Sequence, residues 1–151
     1  MAEMPTRVLI VEDDPEVVFI LSGLLTAYGY QVCHAPHSMA AFHMLVTPEE
    51  ALPHVVVLDI GLPGVRGVAV LEFIRISLQS DLPVVVLTGV ATEEEEQRLR
   101  ELGVSAFLRK PTPASVIVAA IAEAVARNAP SKPIPRPRPA EVPVQQEAVT
   151  G

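Results

Sequence analysis

The run His54 to Asp59, HVVVLD, is apolar at consecutive positions rather than at alternate ones. A strand of that kind has both faces covered, which places it at the centre of a parallel sheet with helices on either side. Four other short runs fit around it: Arg7 to Glu12 (RVLIVE), Tyr30 to Ala35, Pro83 to Thr88 (PVVVLT) and Val104 to Arg109. Helical periodicity fills the gaps at Pro15 to Tyr28, Ser38 to Val46, Gly67 to Leu78, Thr92 to Leu102 and Pro113 to Asn128. Asp14 before Pro15 gives a carboxylate cap followed by proline at the first helical position. Ser38 is the expected cap of the second helix, and Gly29 and Gly103 stop the first and fourth. Five strands alternating with five helices imply right-handed crossovers and a doubly wound α/β sheet.

The prolines mark where this pattern ends. Of 15 in the chain, Pro130, Pro133, Pro135, Pro137, Pro139 and Pro143 crowd the last 22 residues, which also lack aromatic side chains. Residues 129–151 are therefore expected to form a flexible tail leaning to polyproline II, with residues 1–6 a short extension and 7–128 the folded domain. An apolar fraction of 50% and a mean hydropathy of +0.38 are ample for a core. The net charge of -7 is uneven: Lys132, Arg136 and Arg138 against Glu141 and Glu147 leave +1 on the tail and -8 on the rest. An acidic body argues against direct contact with nucleic acid, because phosphate binding needs clustered cations. Cys33 is the one cysteine and has no internal partner, which points to a reducing compartment. The start lacks the basic segment of a signal peptide, and the apolar stretch Val116 to Ala126 is too short to span a bilayer. The expectation is a cytoplasmic protein with no membrane partner.

In an open parallel sheet, function collects beyond the carboxyl ends of the strands. The first strand ends in Glu12, Asp13 and Asp14, the third in Asp59, the fourth in Thr88 and the fifth at Lys110. Carboxylates converging on one crevice repel unless a cation sits among them. Oxygen ligands beside a lysine suit Mg²⁺ rather than zinc. The same acids exclude a dinucleotide site, whose first turn needs glycines and free amides for a pyrophosphate, where this chain has EDDPE.

These residues resemble the receiver domain of two-component response regulators, over about residues 7 to 128. Asp13 and Asp14 are taken as its acidic pair, Asp59 as the phosphoacceptor, Thr88 as its hydroxyl position, Phe107 as the switch aromatic and Lys110-Pro111 as its lysine–proline pair. The resemblance implies a flavodoxin-like sheet of order 2-1-3-4-5 and a phosphoacceptor switch that catalyses only its own phosphorylation and slow dephosphorylation. It implies Mg²⁺ on Asp13, Asp14, Asp59 and the backbone carbonyl of Gly61. Lys110 and Thr88 would bind the phosphoryl oxygens, and the Lys110–Pro111 peptide would be cis. Implied partners are a sensor histidine kinase or phosphotransfer protein, and a downstream protein on the face of helix four, strand five and helix five.

The chain departs from that pattern in places. Arg66 stands where the family often has an acid, a position expected to be peripheral to the site. Gly61 and Val90 offer no acid or amide to orient a hydrolytic water, so slow self-dephosphorylation is expected. Phe107 lacks a hydroxyl, so the switch would work by packing. A phosphohydrolase working through an aspartyl-phosphate is the alternative, but it wants an acid where Gly61 stands. A module that never turns over phosphate is a third reading, against which the acids, Thr88 and Lys110 speak. Taken singly, an acid pair is a helix cap, Thr88 and Lys110 ordinary strand ends, and Phe107 core. Glu93 to Glu96 follow Thr92 and suit the first turn of a helix. Cys33 and His34 alternate on a strand, which argues against a zinc cluster with His37 and His43. The last helix carries Val116, Ile117, Val118, Ile121 and Val125 among alanines. Its outer face is either mildly apolar alanine surface or a pairing surface, a second copy included.

Overall fold

The computed structural model describes residues 4–48 and 51–128, and the proline-rich segment lies outside the described residues. Its strands are β1 (Arg7–Val11), β2 (Gln31–Ala35), β3 (Val55–Leu58), β4 (Val84–Thr88) and β5 (Ala106–Arg109). All pairings are parallel, and the order is β2-β1-β3-β4-β5. The helices are α1 (Pro15–Ala27), α2 (Ser38–Leu45), α3 (Val68–Glu72), α4 (Glu93–Leu102) and α5 (Ala114–Asn128).

Strand alternation sorts the core into two layers. Val8, Ile10, Val55, Val57, Val85 and Leu87 face α1 and α5, where Leu21, Leu25, Ile117 and Ile121 meet them. Leu9, Val11, Val56, Leu58, Val84 and Val86 face the other way, onto Leu45, Val70, Leu71, Ile74 and Leu99. The consecutive apolar run of β3 is thus buried on both sides, as a central strand requires.

Local signals account for most helix ends. Asp14 caps α1, its Oδ1 accepting from Glu16 N–H at 2.9 Å. Thr92 and Glu95 close a reciprocal capping box at the start of α4. Two expectations need correction. The cap of α2 is His37, whose Nδ1 accepts from Ala40 N–H at 3.1 Å, while the buried Ser38 hydroxyl donates to Val65 O at 2.8 Å. The third helix is not one regular helix to Leu78 either: after Glu72 it continues as a π-helical turn, Phe73–Ser77.

That turn directs Arg75 to a cleft at the amino ends of β4 and β5. Its guanidinium donates to Leu102 O, Ser80 O, Leu82 O and Gly103 O at 3.2, 2.9, 2.8 and 2.9 Å. One side chain therefore ties the end of α3, the entry to β4 and the end of α4. The exposed apolar surface is larger on α1 than on α5. On α5 the one large exposed apolar residue is Val116, whereas α1 exposes Phe19 at 81% and Ile20 at 58%. Among the described residues no helix is long and apolar enough to cross a membrane.

Candidate functional site

β1 ends at Val11, so the first residue past the sheet edge is Glu12, and its side chain is only 3% exposed. β3 ends one residue before Asp59, whose N–H donates to Val11 O at 3.0 Å and whose side chain is nearly buried. β5 ends one residue before Lys110, whose N–H donates to Thr88 O at 3.0 Å. Parallel pairing thus delivers Glu12, Asp59, Thr88 and Lys110 to one edge.

Lys110 bridges the two buried carboxylates, with Nζ 2.8 Å from Glu12 Oε1 and 3.6 Å from Asp59 Oδ2. Gly61 N–H donates to Asp59 Oδ1 at 3.2 Å, and Asp14 N–H donates to Glu12 Oε2 at 3.2 Å. Burial lifts the Glu12 carboxyl above its ordinary value, against the opposing pull of Lys110 and the Asp14 amide. Burial also acts to lower Lys110, but the bond to Glu12 and the charge of Asp59 outweigh it and leave the ammonium raised. One ammonium does not neutralise the acids gathered here.

Carboxylate oxygens of Glu12, Asp13 and Asp59 all lie within 4.8 Å of one another. Asp13 is exposed, so the group opens to solvent on that side. An all-oxygen set of this size fits a hard divalent cation, not zinc. This differs from the expected ligand set at one position. Asp14 is turned to the α1 amides as a cap, and Glu12 takes the inner place. The Asp14 oxygen that is engaged accepts from Glu16 N–H at the start of α1. Cys33 is half-buried against the core and His34 Nε2 lies 2.8 Å from Glu12 O. Neither belongs to a metal-capable group among the described residues.

Thr88 is fully buried, and its Oγ1 accepts from Val90 N–H at 3.3 Å, so the hydroxyl is engaged by its own loop. The Lys110–Pro111 peptide is cis. Phe107 is half-buried, with the guanidinium carbons of Arg100 and Arg109 each 5.2 Å from its ring centroid. Both arginines are ion-paired to Glu96, Arg100 at 2.8 Å. Their spacing of nine residues across a helix and a strand gave no sign in the sequence of this shared anchor.

A family model described as the response regulator receiver domain matches residues 8–122. The chain belongs to the response regulator receiver family. It is 38% identical over 105 residues to the probable transcriptional regulatory protein SilR of Salmonella typhimurium, covering 70% of this chain and 44% of that protein. It is 32% identical over 132 residues to the transcriptional regulatory protein KdpE of Mycobacterium tuberculosis, covering 87% of this chain and 56% of that protein. The chain thus spans about half the length of these curated relatives. The crystal structure of a CheY-like receiver domain protein from Methanospirillum hungatei JF-1 superimposes with a TM-score of 0.76 at 22% identity, covering 82% of this chain and 96% of that one. That likeness establishes the fold: the flavodoxin-like sheet of order 2-1-3-4-5. The matched residues are thus a receiver domain of two-component response regulators.

Proposed function

We propose that Asp59 is the phosphoacceptor of residues 7–128, taking a phosphoryl group from the phosphohistidine of a sensor kinase or phosphotransfer protein in the cytoplasm. An Asp59 carboxylate oxygen would attack phosphorus, the N–P bond would break, and the electron pair would return to the imidazole nitrogen. What most supports this reading is the position of Lys110, whose Nζ lies 3.6 Å from Asp59 Oδ2 and can follow that oxygen onto a phosphoryl group. Glu12, Asp13 and Asp59, with the Gly61 carbonyl, would hold Mg²⁺, which supplies charge neutralisation for the transferring phosphoryl group. Lys110 would neutralise a second phosphoryl oxygen. Thr88 would leave Val90 N–H to donate to a third, vacating space for the Phe107 ring.

The output would be a change in the α4, β5 and α5 surface, read by a downstream protein rather than by nucleic acid bound to these residues. α4 suits such a role because its buried contact is slight: Leu99 is its one fully buried residue. Nuclear magnetic resonance in Mg²⁺ with beryllofluoride, a phosphoryl mimic, tests the coupling. Shifts at Asp59, Thr88 and Lys110 that extend to Phe107 and α4 are expected. Shifts confined to added Mg²⁺ alone, with none from the mimic, would overturn the reading.

A further inference from the structure

Arg66, seven residues beyond Asp59, is the least family-like residue of the loop leading to α3, and it reaches across to the start of α4. Its Nε and Nη2 donate to Glu95 Oε2 and Oε1 at 2.9 and 2.7 Å, a fork on one carboxylate. Nη2 also donates to Val90 O at 3.3 Å. Both ends of this bridge are fixed. The Val65 carbonyl beside Arg66 is held by the buried Ser38 hydroxyl, and Gly67 N–H donates to Ile60 O at 3.0 Å. Glu95 is itself built into the capping box of α4, its Oε1 accepting from Thr92 N–H at 3.0 Å.

Val90 is what the bridge holds in place. A Cβ placed on Gly61 would lie 2.2 Å from Val90 Cγ2 and 3.9 Å from Asp59 Oδ1. The isopropyl group therefore roofs Gly61 beside the Asp59 carboxylate, although Val90 is 59% exposed. The backbone of Val90 is held at both ends of the residue, through N–H to Thr88 Oγ1 and through its carbonyl to Arg66, and once Thr88 turns to a phosphoryl group the Arg66 bond is the one of the two that remains.

We propose that Arg66 is a positioning residue that, through Glu95 and the Val90 carbonyl, keeps the Val90 side chain over Gly61 and so keeps water from a phosphoryl group on Asp59. The inference rests on Asp59 being the acceptor. The reaction it restrains is hydrolysis: a water oxygen bonds to phosphorus, the bond from Asp59 oxygen to phosphorus breaks, and Asp59 carboxylate and inorganic phosphate result. Arg66 touches none of the reacting atoms. Its effect is on the wall they react against.

The test follows loss of phosphate in Mg²⁺ from protein loaded with a small phosphodonor, for wild type, Arg66→Ala, Glu95→Gln, Val90→Ala and the double variant Arg66→Ala/Val90→Ala. Glu95→Gln keeps an acceptor for the capping box but removes the charge. Arg66→Ala and Glu95→Gln should each speed hydrolysis about threefold, the scale of a half-exposed ion pair. Val90→Ala should do at least as much, and Arg66→Ala should add nothing in its background, because its action passes through Val90. Arg66→Lys should restore only part of the lifetime, since a lysine cannot fork. Unfolding midpoints of the variants, measured alongside, separate this from general loosening. Equal lifetimes for wild type and Arg66→Ala, or full additivity with Val90→Ala, would overturn the proposal and leave the acceptor assignment standing. Failure of the wild type to load any phosphate would instead remove the reading beneath it.

Discussion

Gly67→Ala should destabilise the domain even though helix propensity argues the opposite. Gly67 caps α3 with φ -62° and ψ -23°, ordinary helical angles, so alanine there would gain about 0.5–1 kcal/mol from the unfolded chain alone. The added Cβ, however, would lie 2.2 Å from Asp59 O, 2.8 Å from Ile60 Cα and 3.0 Å from Asp59 C. Relief needs a shift of about 1 Å, and all three atoms are backbone at the end of the central strand. Overpacking typically costs about 1–3 kcal/mol, and with no side chain free to yield the upper part of that range applies, leaving a net loss of about 2 kcal/mol. For a domain of this size the midpoint should fall by about 6–10 °C in thermal unfolding followed by circular dichroism. Because the atoms displaced belong to Asp59, phosphate uptake should also fall, by about tenfold or more. Gly23→Ala is the control: in α1, with nothing within 4 Å of its added Cβ, it should gain about 0.5–1 kcal/mol. A Gly67→Ala protein that unfolds at or above the wild-type midpoint would refute the reasoning.

Two further outcomes follow from side chains remote from the acceptor. Arg75→Leu removes donors from four carbonyls in three segments and should cost about 2–4 kcal/mol by urea unfolding, with the midpoint lowered and the slope unchanged; a loss below about 0.5 kcal/mol would mean that water replaces the guanidinium fully. The Arg66 fork holds the Glu95 carboxyl below its ordinary 4.5, so its stabilisation is fully present above that value and is lost as pH falls through the lower, folded value. That loss, at most about 1 kcal/mol for a partly exposed pair, should vanish from the acid limb of an unfolding titration in Arg66→Ala.

The fold was legible because strand and helix write different periods, and the run at Val55–Leu58, apolar on both faces, marked the central strand. Ends were legible where one residue type did one job, as at Thr92 with Glu95. They were not where neighbours competed: His37 and Ser38 can both cap, and only the reach of Ser38 to Val65 O decides between them. The same holds for the acids. Glu12, Asp13 and Asp14 are chemically alike, and their division into a buried partner of Lys110, a solvent-facing acid and a helix cap depends on β1 ending at Val11. The π-helical turn was invisible because the pattern from Gly67 to Leu78 reads as ordinary helix, and two of the carbonyls that Arg75 collects, Leu102 O and Gly103 O, lie in a segment distant in sequence. Arg66 was visible as an oddity, but its partners Glu95 and Val90 were not.

On the function proposed above, Asp59 accepts a phosphoryl group with the help of a metal held by Glu12, Asp13 and Asp59. Its most direct test is phosphate incorporation from a small phosphodonor in Mg²⁺, with intact-protein mass read for wild type and Asp59→Asn, each with and without a chelator. The wild type should carry one phosphate in Mg²⁺ and none after chelation, and Asp59→Asn none under either condition. Equal incorporation by Asp59→Asn, or incorporation by the wild type that ignores the chelator, would contradict it.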